Sequence, residues 1–329
     1  MEFEYVKQLN SGDFEIYIID DFELGRPRRT GTYVLPGDDG ITLIDTCTSP
    51  SLRYIIAGLN ELNIELTHVK NIILTHIHVD HAGAAGLLMK CCPNAKLFVH
   101  PMGEKFIRDP HRLENSLKKI YGTNIFNDQF YPLVPIPGTR IHVVEDKEKL
   151  KISEKRELQF VYTPGHADHH MSIHDPATEG VFAGDAIGAY FTLPEINYNL
   201  CLPITSPPHF DWVKMDNSKR RIQELKPSRI YFGHYGASEK ININDIYYQF
   251  DYWLQRFTTI GKEVWREEHD VKKANGIVAK KIFGEIKEML KEKGLPLEHP
   301  FLANLKPDID FCAIGIVRYL KNIDENFNV

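Results

Sequence analysis

Four separate apolar runs in this chain each give way to residues of the kind that bind metals. VKNIIL (69–74) is followed by THIHVDHAG (75–83), which packs His76, His78, Asp80 and His81 into six positions. LQFVYT (158–163) leads into PGHADHH with His166, GVFAG (180–184) into Asp185, and SRIYFG (228–233) into His234. Short β-branched and aromatic runs bounded by glycine and proline read as strands. Any one of these endings would be a weak signal. Together they require a fold in which four strand ends converge on one centre.

The local spacing says more. His76 and His78 are two apart, so near-extended backbone puts them on the same side. Asp80 and His81 follow where the chain turns into a helix. Four ligand-type residues in six positions are more than one ion normally takes from a single loop, which points to two ions sharing it. His166, Asp185 and His234 each follow a glycine, which lets backbone approach a crowded centre closely. Histidine and carboxylate together suit zinc, iron or manganese.

Around these endings the chain reads as alternating strands and helices. FEIYIID (14–20), TYVL (32–35) and ITLID (41–45) are strand-like, with PGDDG (36–40) as a hairpin turn. Ser49-Pro50 opens a helix with Leu52, Ile55, Ile56, Leu59 and Leu62 on one face. AGAAGLLMKCC reads as a helix, and KLFVH, RIHVV, KLKI and MSIHD as strands. Residues 101–140 read as an insertion with one helix, ENSLKKIYG, and a proline-bearing loop, and 186–210 as a long aromatic, proline-rich loop. DWVKMDNSKRRIQELKP (211–227) reads as a helix. Beyond about residue 242 three apolar stripes at helical spacing follow, the last through Ile309, Cys312, Ile316 and Leu320. These stripes are structural in character, covering a site or forming a homodimer interface.

Composition sets the outer bounds. The chain has 329 residues, 43% of them hydrophobic, and a net charge of −6, which disfavours a broad nucleic-acid footprint. No run approaches the ~18 apolar residues of a membrane helix, and the start has no basic segment leading into an apolar one. Five cysteines without framework spacing suit a reducing cytoplasmic setting. A small-molecule substrate is the expected partner.

H-x-H-x-D-H followed by an isolated His, Asp and His at strand ends resembles the metallo-β-lactamase superfamily, over roughly residues 14–240. ITLIDT resembles the family's early strand ending in Asp45, with Cys47 where a glycine usually stands. The resemblance implies an α+β, four-layer αβ/βα sandwich over 1–240 and a helical C-terminal extension over 241–329. It implies that His76, His78 and His166 hold one divalent ion, that Asp80, His81 and His234 hold a second, and that Asp185 bridges them. Zinc is the default, and iron or manganese fits the same ligands. The implied activity is hydrolysis by a hydroxide held between two ions about 3.5–4 Å apart. Asp80 would relay a proton to the leaving group, and Tyr235 and Tyr190 would donate to an oxyanion. His170 and Asp45 would support the ligands from behind.

The surrounding residues leave alternatives open. Arg26, Arg28 and Arg29 in ELGRPRRTGTY form either a clamp for an anionic substrate or a solvated hairpin tip. His68, His100, His169 and His174 read as solvent-facing or core residues. Esters, thioesters or lactones rank first as substrates, since the C-terminal extension and compact spacing resemble the glyoxalase II and lactonase branches. Gly188 stands where the lactonase branch has tyrosine, so that activity does not carry over cleanly. TPGHADHHMS is similar to segments of a small endoribonuclease branch, which keeps phosphodiesters as the second reading. A metal-holding protein without turnover is the third.

Overall fold

The computed structural model describes residues 5–9, 13–238 and 243–327. In chain order the strands are β1 (Val6–Leu9), β2 (Ile16–Asp20), β3 (Gly31–Gly37), β4 (Gly40–Ile44), β5 (Val69–Ile73), β6 (Lys96–Val99), β7 (Ile141–Val143), β8 (Lys149–Ser153), β9 (Arg156–Tyr162), β10 (Met171–Asp175), β11 (Gly180–Gly184), β12 (Ala189–Leu193), β13 (Tyr198–Leu202) and β14 (Arg229–Phe232). The helices are α1 (Leu52–Glu61), α2 (Val79–Ala82), α3 (Ala85–Cys91), α4 (Pro101–Arg108), α5 (His111–Tyr121), α6 (Thr123–Gln129), α7 (Trp212–Glu224), α8 (Ile243–Glu267), α9 (Val271–Glu292) and α10 (Pro300–Phe327). By contact density the chain forms two compact units: Met1–Tyr162 with His169–Gly184 and Ile222–Lys240, and Thr163–Asp168 with Asp185–Arg221 and Ile241–Val329. The boundary expected at 240/241 lies outside the described residues.

The first unit holds two mixed sheets, the α+β architecture expected from the sequence. One runs β1-β2-β3-β4-β5-β6-β7 and the other β14-β11-β10-β9-β8. In the first, β1 to β4 are antiparallel and β4 to β7 parallel. In the second, β11 pairs with β14 in parallel and the rest is antiparallel.

Strand periodicity divides the apolar side chains between two cores. Ile44, Ile73 and Phe98 join Phe160, Ile173, Phe182 and Tyr231 in the layer between the sheets. Their neighbours Leu43, Ile72 and Leu97 point the other way, onto Ile55 and Leu59 of α1 and Leu88 and Met89 of α3. A one-residue slip in any of these strands would exchange the two sets. The expected stripe of α1 is therefore the face that closes the outer layer.

Two segments differ from the sequence reading. Residues 101–129 form three helices, α4 to α6, instead of one. His100 caps α4 by accepting the Met102 backbone N–H at 3.1 Å, and Phe126 and Phe130 pack with Val79 and Leu117 in a core of their own. Within 186–210, β12 and β13 pair as an antiparallel hairpin from Ala189↔Leu202 to Leu193↔Tyr198. The prolines that suggested a loop stand outside the paired residues, Pro194 in the short turn between the strands and Pro203 after the second. β1, not expected from the sequence, pairs along β2. The second unit contains this hairpin and the helices α8 to α10. Their buried faces carry Phe250, Trp253, Phe257, Val278, Ile282, Ile286, Ile309, Cys312 and Ile316, as the stripes predict.

One polar pair is sealed inside the first unit. Arg156 donates to Asp175 Oδ2 through Nε at 3.1 Å and Nη2 at 2.7 Å, and both side chains are at most 1% exposed. Thr178 also donates to Asp175 at 2.8 Å. Removing one partner strands the other charge in the interior. Asp175→Ala is therefore expected to lower unfolding stability by about 3–5 kcal/mol in a urea titration. A loss below about 1 kcal/mol would mean that Arg156 finds water or another acceptor.

Candidate metal centre

The ends of β4, β5, β9, β11 and β14 deliver Asp45, His76, His166, Asp185 and His234 respectively. Parallel pairing of β4 with β5 places the Asp45 turn beside Thr75, and the Asp45 N–H donates to the Ile73 carbonyl at 2.8 Å. His78 then precedes α2, which carries Asp80 and His81 within a single turn.

Asp45 is the organising group. It is 4% exposed and has left-handed backbone, φ 61°, a conformation that aspartate tolerates better than most residues. Its Oδ1 accepts the Thr75 backbone N–H at 2.8 Å. Its Oδ2 lies 2.9 Å from His81 Nδ1. The Thr75 hydroxyl donates to the same carboxylate, at 2.9 Å to Oδ2. That hydroxyl has one proton, so toward His76 Nδ1, 3.1 Å away, it acts as acceptor. One carboxylate thus sets both imidazoles with Nδ1 protonated and Nε2 turned inward. His166 is set the same way, with Nδ1 2.8 Å from the Ile204 carbonyl.

The inward atoms gather within each unit, and in the first the ligand atoms of Asp80, His81 and His234 lie within 4.8 Å of one another. His76 Nε2 is 3.0 Å from His78 Nδ1, and His166 Nε2 is 3.2 Å from Asp185 Oδ2. Two nitrogens on a tetrahedral zinc at about 2.0–2.1 Å stand roughly 3.3 Å apart, so these separations are of ligand–ligand size. Imidazoles fixed from behind by carboxylate, hydroxyl or carbonyl are the pattern of metal-binding histidines. The donor set therefore fits divalent metal.

The groups differ in access. His76, His81, His166 and Asp185 are buried. The Asp80 side chain is 26% exposed and that of His234 13%, so the centre opens on their side. Asp80 Oδ2 lies 3.8 Å from His81 Nε2 and 3.7 Å from His234 Nε2.

Close packing accounts for the glycines. Gly184, with φ 51°, sits where a Cβ would come within 2.6 Å of His170 Nε2 and 2.9 Å of the Thr75 side chain. Gly165, with φ 133°, would drive a Cβ to 2.3 Å from the Met215 backbone N. His170 is fully buried, with its ring 4.9 Å from that of His76. His169, expected only as a solvent-facing or core residue, is also buried, and its ring lies 5.4 Å from His78 and 6.2 Å from His76. Tyr33 was likewise unforeseen. Its hydroxyl bonds the Phe232 and Gly236 carbonyls at 2.6 and 2.7 Å, tying down the loop that carries His234.

The remaining site residues fall further out. Tyr235 is half-buried against the layer between the sheets. Burial, with Asp20 adding to it and Arg28 opposing, pushes its phenol up to about 12, so it stays protonated at neutral pH. Tyr190 is buried on β12 opposite Cys201. Cys47 has φ 52°, the left-handed backbone that a glycine would take without strain, and its sulfur lies 3.0 Å from the Thr30 hydroxyl. Arg29 is tied to the buried Glu23 at 2.8 Å. The Arg28 backbone N–H binds the Asp20 carboxylate at 2.8 Å. Arg26 is partly buried on the same loop.

Residues 25–234 match the family model described as metallo-beta-lactamase superfamily. The chain belongs to that superfamily. It is 31% identical over 223 residues to the metallo-beta-lactamase fold-containing protein ST1585 of Sulfurisphaera tokodaii, covering 65% of this chain and 76% of that one. The solved structure of the archaeal protein aligns with a TM-score of 0.57 over 78% of this chain and 86% of its own. A protein named probable metallo-hydrolase YqjP, from Bacillus subtilis, is 23% identical, over 61% of this chain and 66% of its own. The structure of the metallo-beta-lactamase family protein TTHA1429 from Thermus thermophilus shares the fold along 98% of this chain and 95% of its own, with a TM-score of 0.60 and 18% identity. Among the described residues no helix is long and apolar enough to cross a membrane.

Because Asp45 orients His81 directly and His76 through Thr75, Asp45→Ala is expected to weaken divalent-metal binding by about 10–100-fold. Competition against a chromogenic chelator reads this out. Unchanged affinity would show that the imidazoles hold their orientation without the carboxylate.

Proposed function

We propose that this chain is a hydrolase of carbonyl compounds, esters, thioesters or lactones, working with two divalent ions, zinc by default. The observation that carries the reading is the asymmetry of the centre. Six of the seven ligand-type residues are histidines or a buried aspartate, whereas Asp80 presents a carboxylate on the open side, within 4 Å of His81 and His234. The ligand sets are His76, His78 and His166 for one ion and Asp80, His81 and His234 for the other, with Asp185 between them. Bound metal supplies Lewis-acid polarisation and a coordinated water of lowered pKa.

The chain's own residues do the rest. His170 and Asp45 hold the ligands from behind. Asp80, partly exposed beside the second set, is placed to take up and return a proton at its free oxygen. Tyr235, protonated at neutral pH, keeps an O–H to donate, as an oxyanion partner must.

The arginine loop supports carbonyl over phosphodiester substrates. Arg29 is spent on Glu23, and Asp20, Asp21 and Glu23 match Arg26, Arg28 and Arg29 in charge, so the loop offers no strong phosphate clamp. The relative named as a metallo-hydrolase supports the reaction class.

The test is a matched panel on zinc-loaded protein: an acyl thioester, an acyl lactone, an aryl ester and a bis-aryl phosphodiester. A carbonyl substrate is expected to give the highest kcat/KM. Asp80→Ala is expected to lower kcat about 10²–10⁴-fold while metal remains bound at His76, His78 and His166. Preference for the phosphodiester would overturn the substrate class. Turnover unaffected by Asp80→Ala would overturn the catalytic role.

A further inference from the structure

Beside the Asp45 turn lies a half-enclosed hollow of about 280 Å³, larger than the roughly 150 Å³ that accommodates a benzene ring. Its apolar side is Phe22, Leu24 and Tyr54, and its polar side Arg53, Asp128 and Gln129. Phe22 and Tyr54 stack at 4.9 Å. The Arg53 guanidinium lies 4.6 Å over the Tyr54 ring and donates to its hydroxyl at 2.9 Å.

The loop on the apolar side is built at a conformational cost. Phe22, Leu24 and Arg28 all have left-handed backbone, with φ of 46°, 53° and 56°. Asp20 holds this shape by accepting the backbone N–H groups of Phe22 at 3.1 Å and Arg28 at 2.9 Å, and the Glu23–Arg29 pair anchors its middle. The loop leaves Leu24 38% exposed over the hollow. Folding alone gives no reason to hold a leucine in strained backbone and turn it to solvent. Such strain persists where surroundings enforce it, and it gathers at functional sites.

We propose that this hollow is a substrate subsite for an uncharged aromatic group. The ring would lie against Leu24 and the Phe22–Tyr54 pair, and a hydrogen-bonding substituent would meet Asp128 and Gln129. Arg53 and Asp128 oppose one another in charge, so the hollow favours a neutral group over a carboxylated or cationic one. Thr48 lines it too and stands three residues after Asp45, at most about 11 Å along the chain. The β2–β3 loop, the turn after β4 and the connection after β6 all leave the first sheet at the edge where β5 runs out toward His76, so the hollow is built on the same sheet edge as the Asp80, His81 and His234 group. The inference rests on the carbonyl-hydrolase reading.

The test pairs acetyl and phenylacetyl thioesters on zinc-loaded protein, with phenylacetamide binding followed separately by saturation-transfer NMR. Leu24→Ser and Tyr54→Ala are the variants, the first at an exposed position that spares the core. Expected is a KM for the phenylacetyl thioester raised about tenfold, with the acetyl substrate unchanged and the phenylacetamide signal lost. Equal effects on both thioesters, or phenylacetamide binding that both variants leave intact, would overturn the subsite. If neither thioester is hydrolysed but phenylacetamide binds and both variants abolish it, the hydrolase reading falls and the binding site stands. If both are hydrolysed and the variants do not discriminate, the hydrolase reading stands and the subsite falls.

Discussion

The Asp45 carboxylate is the interaction on which the rest of this centre depends. A buried carboxylate is costly unless its oxygens are satisfied, and here a backbone N–H, a hydroxyl and an imidazole all converge on it. Such charge-assisted bonds are stronger than neutral ones, and they fix direction as well as energy. Through them β4 dictates how two histidines from the β5 loop present their nitrogens. The same turn demands left-handed backbone at Asp45 and again at Cys47. The conformational cost is placed where it orients ligands.

A second constraint is proximity. Gly184 can stand beside Thr75 and His170 only because it has no side chain. The Gly233 N–H reaches the Gly184 carbonyl at 3.2 Å, and the Met171 N–H reaches the Thr75 carbonyl at 2.8 Å. These backbone bonds lock the ends of β14, β11, β10 and β5 to one another. Tyr33 adds a side-chain tie from β3 to the His234 loop. Ligand placement is thus a by-product of strand pairing, and does not rely on the loops being stiff by themselves.

That is also why so much was legible in the sequence. Strands with two buried faces write themselves as apolar runs; a glycine followed by His or Asp marks where three of the four runs stop, and the crowded H-x-H-x-D-H marks the fourth. The seven ligand-type residues and most strands could be read this way. The β12–β13 hairpin could not, because proline and aromatic residues around it carry the signature of a loop, and pairing is a property of two segments together. The helices α4 and α6 were hidden by their shortness and their scarcity of apolar positions. His169 was passed over because the resemblance assigns ligand support to its neighbour His170 alone. The ion pair between Arg29 and Glu23 depends on left-handed residues between them, which spacing does not reveal.

The connection from β6 to β7 differs from the others on this edge. It contributes none of the seven ligand-type residues, yet it holds α4, α5 and α6, and α6 brings Asp128 and Gln129 to the hollow beside the Asp45 turn. Loops that carry ligands cannot be lengthened or recast without moving a donor atom. This one can. The architecture therefore separates the loops that carry ligand-type residues from the one that builds the hollow, and gives a designer or an evolving lineage one adjustable connection on the same sheet edge as an otherwise inflexible centre.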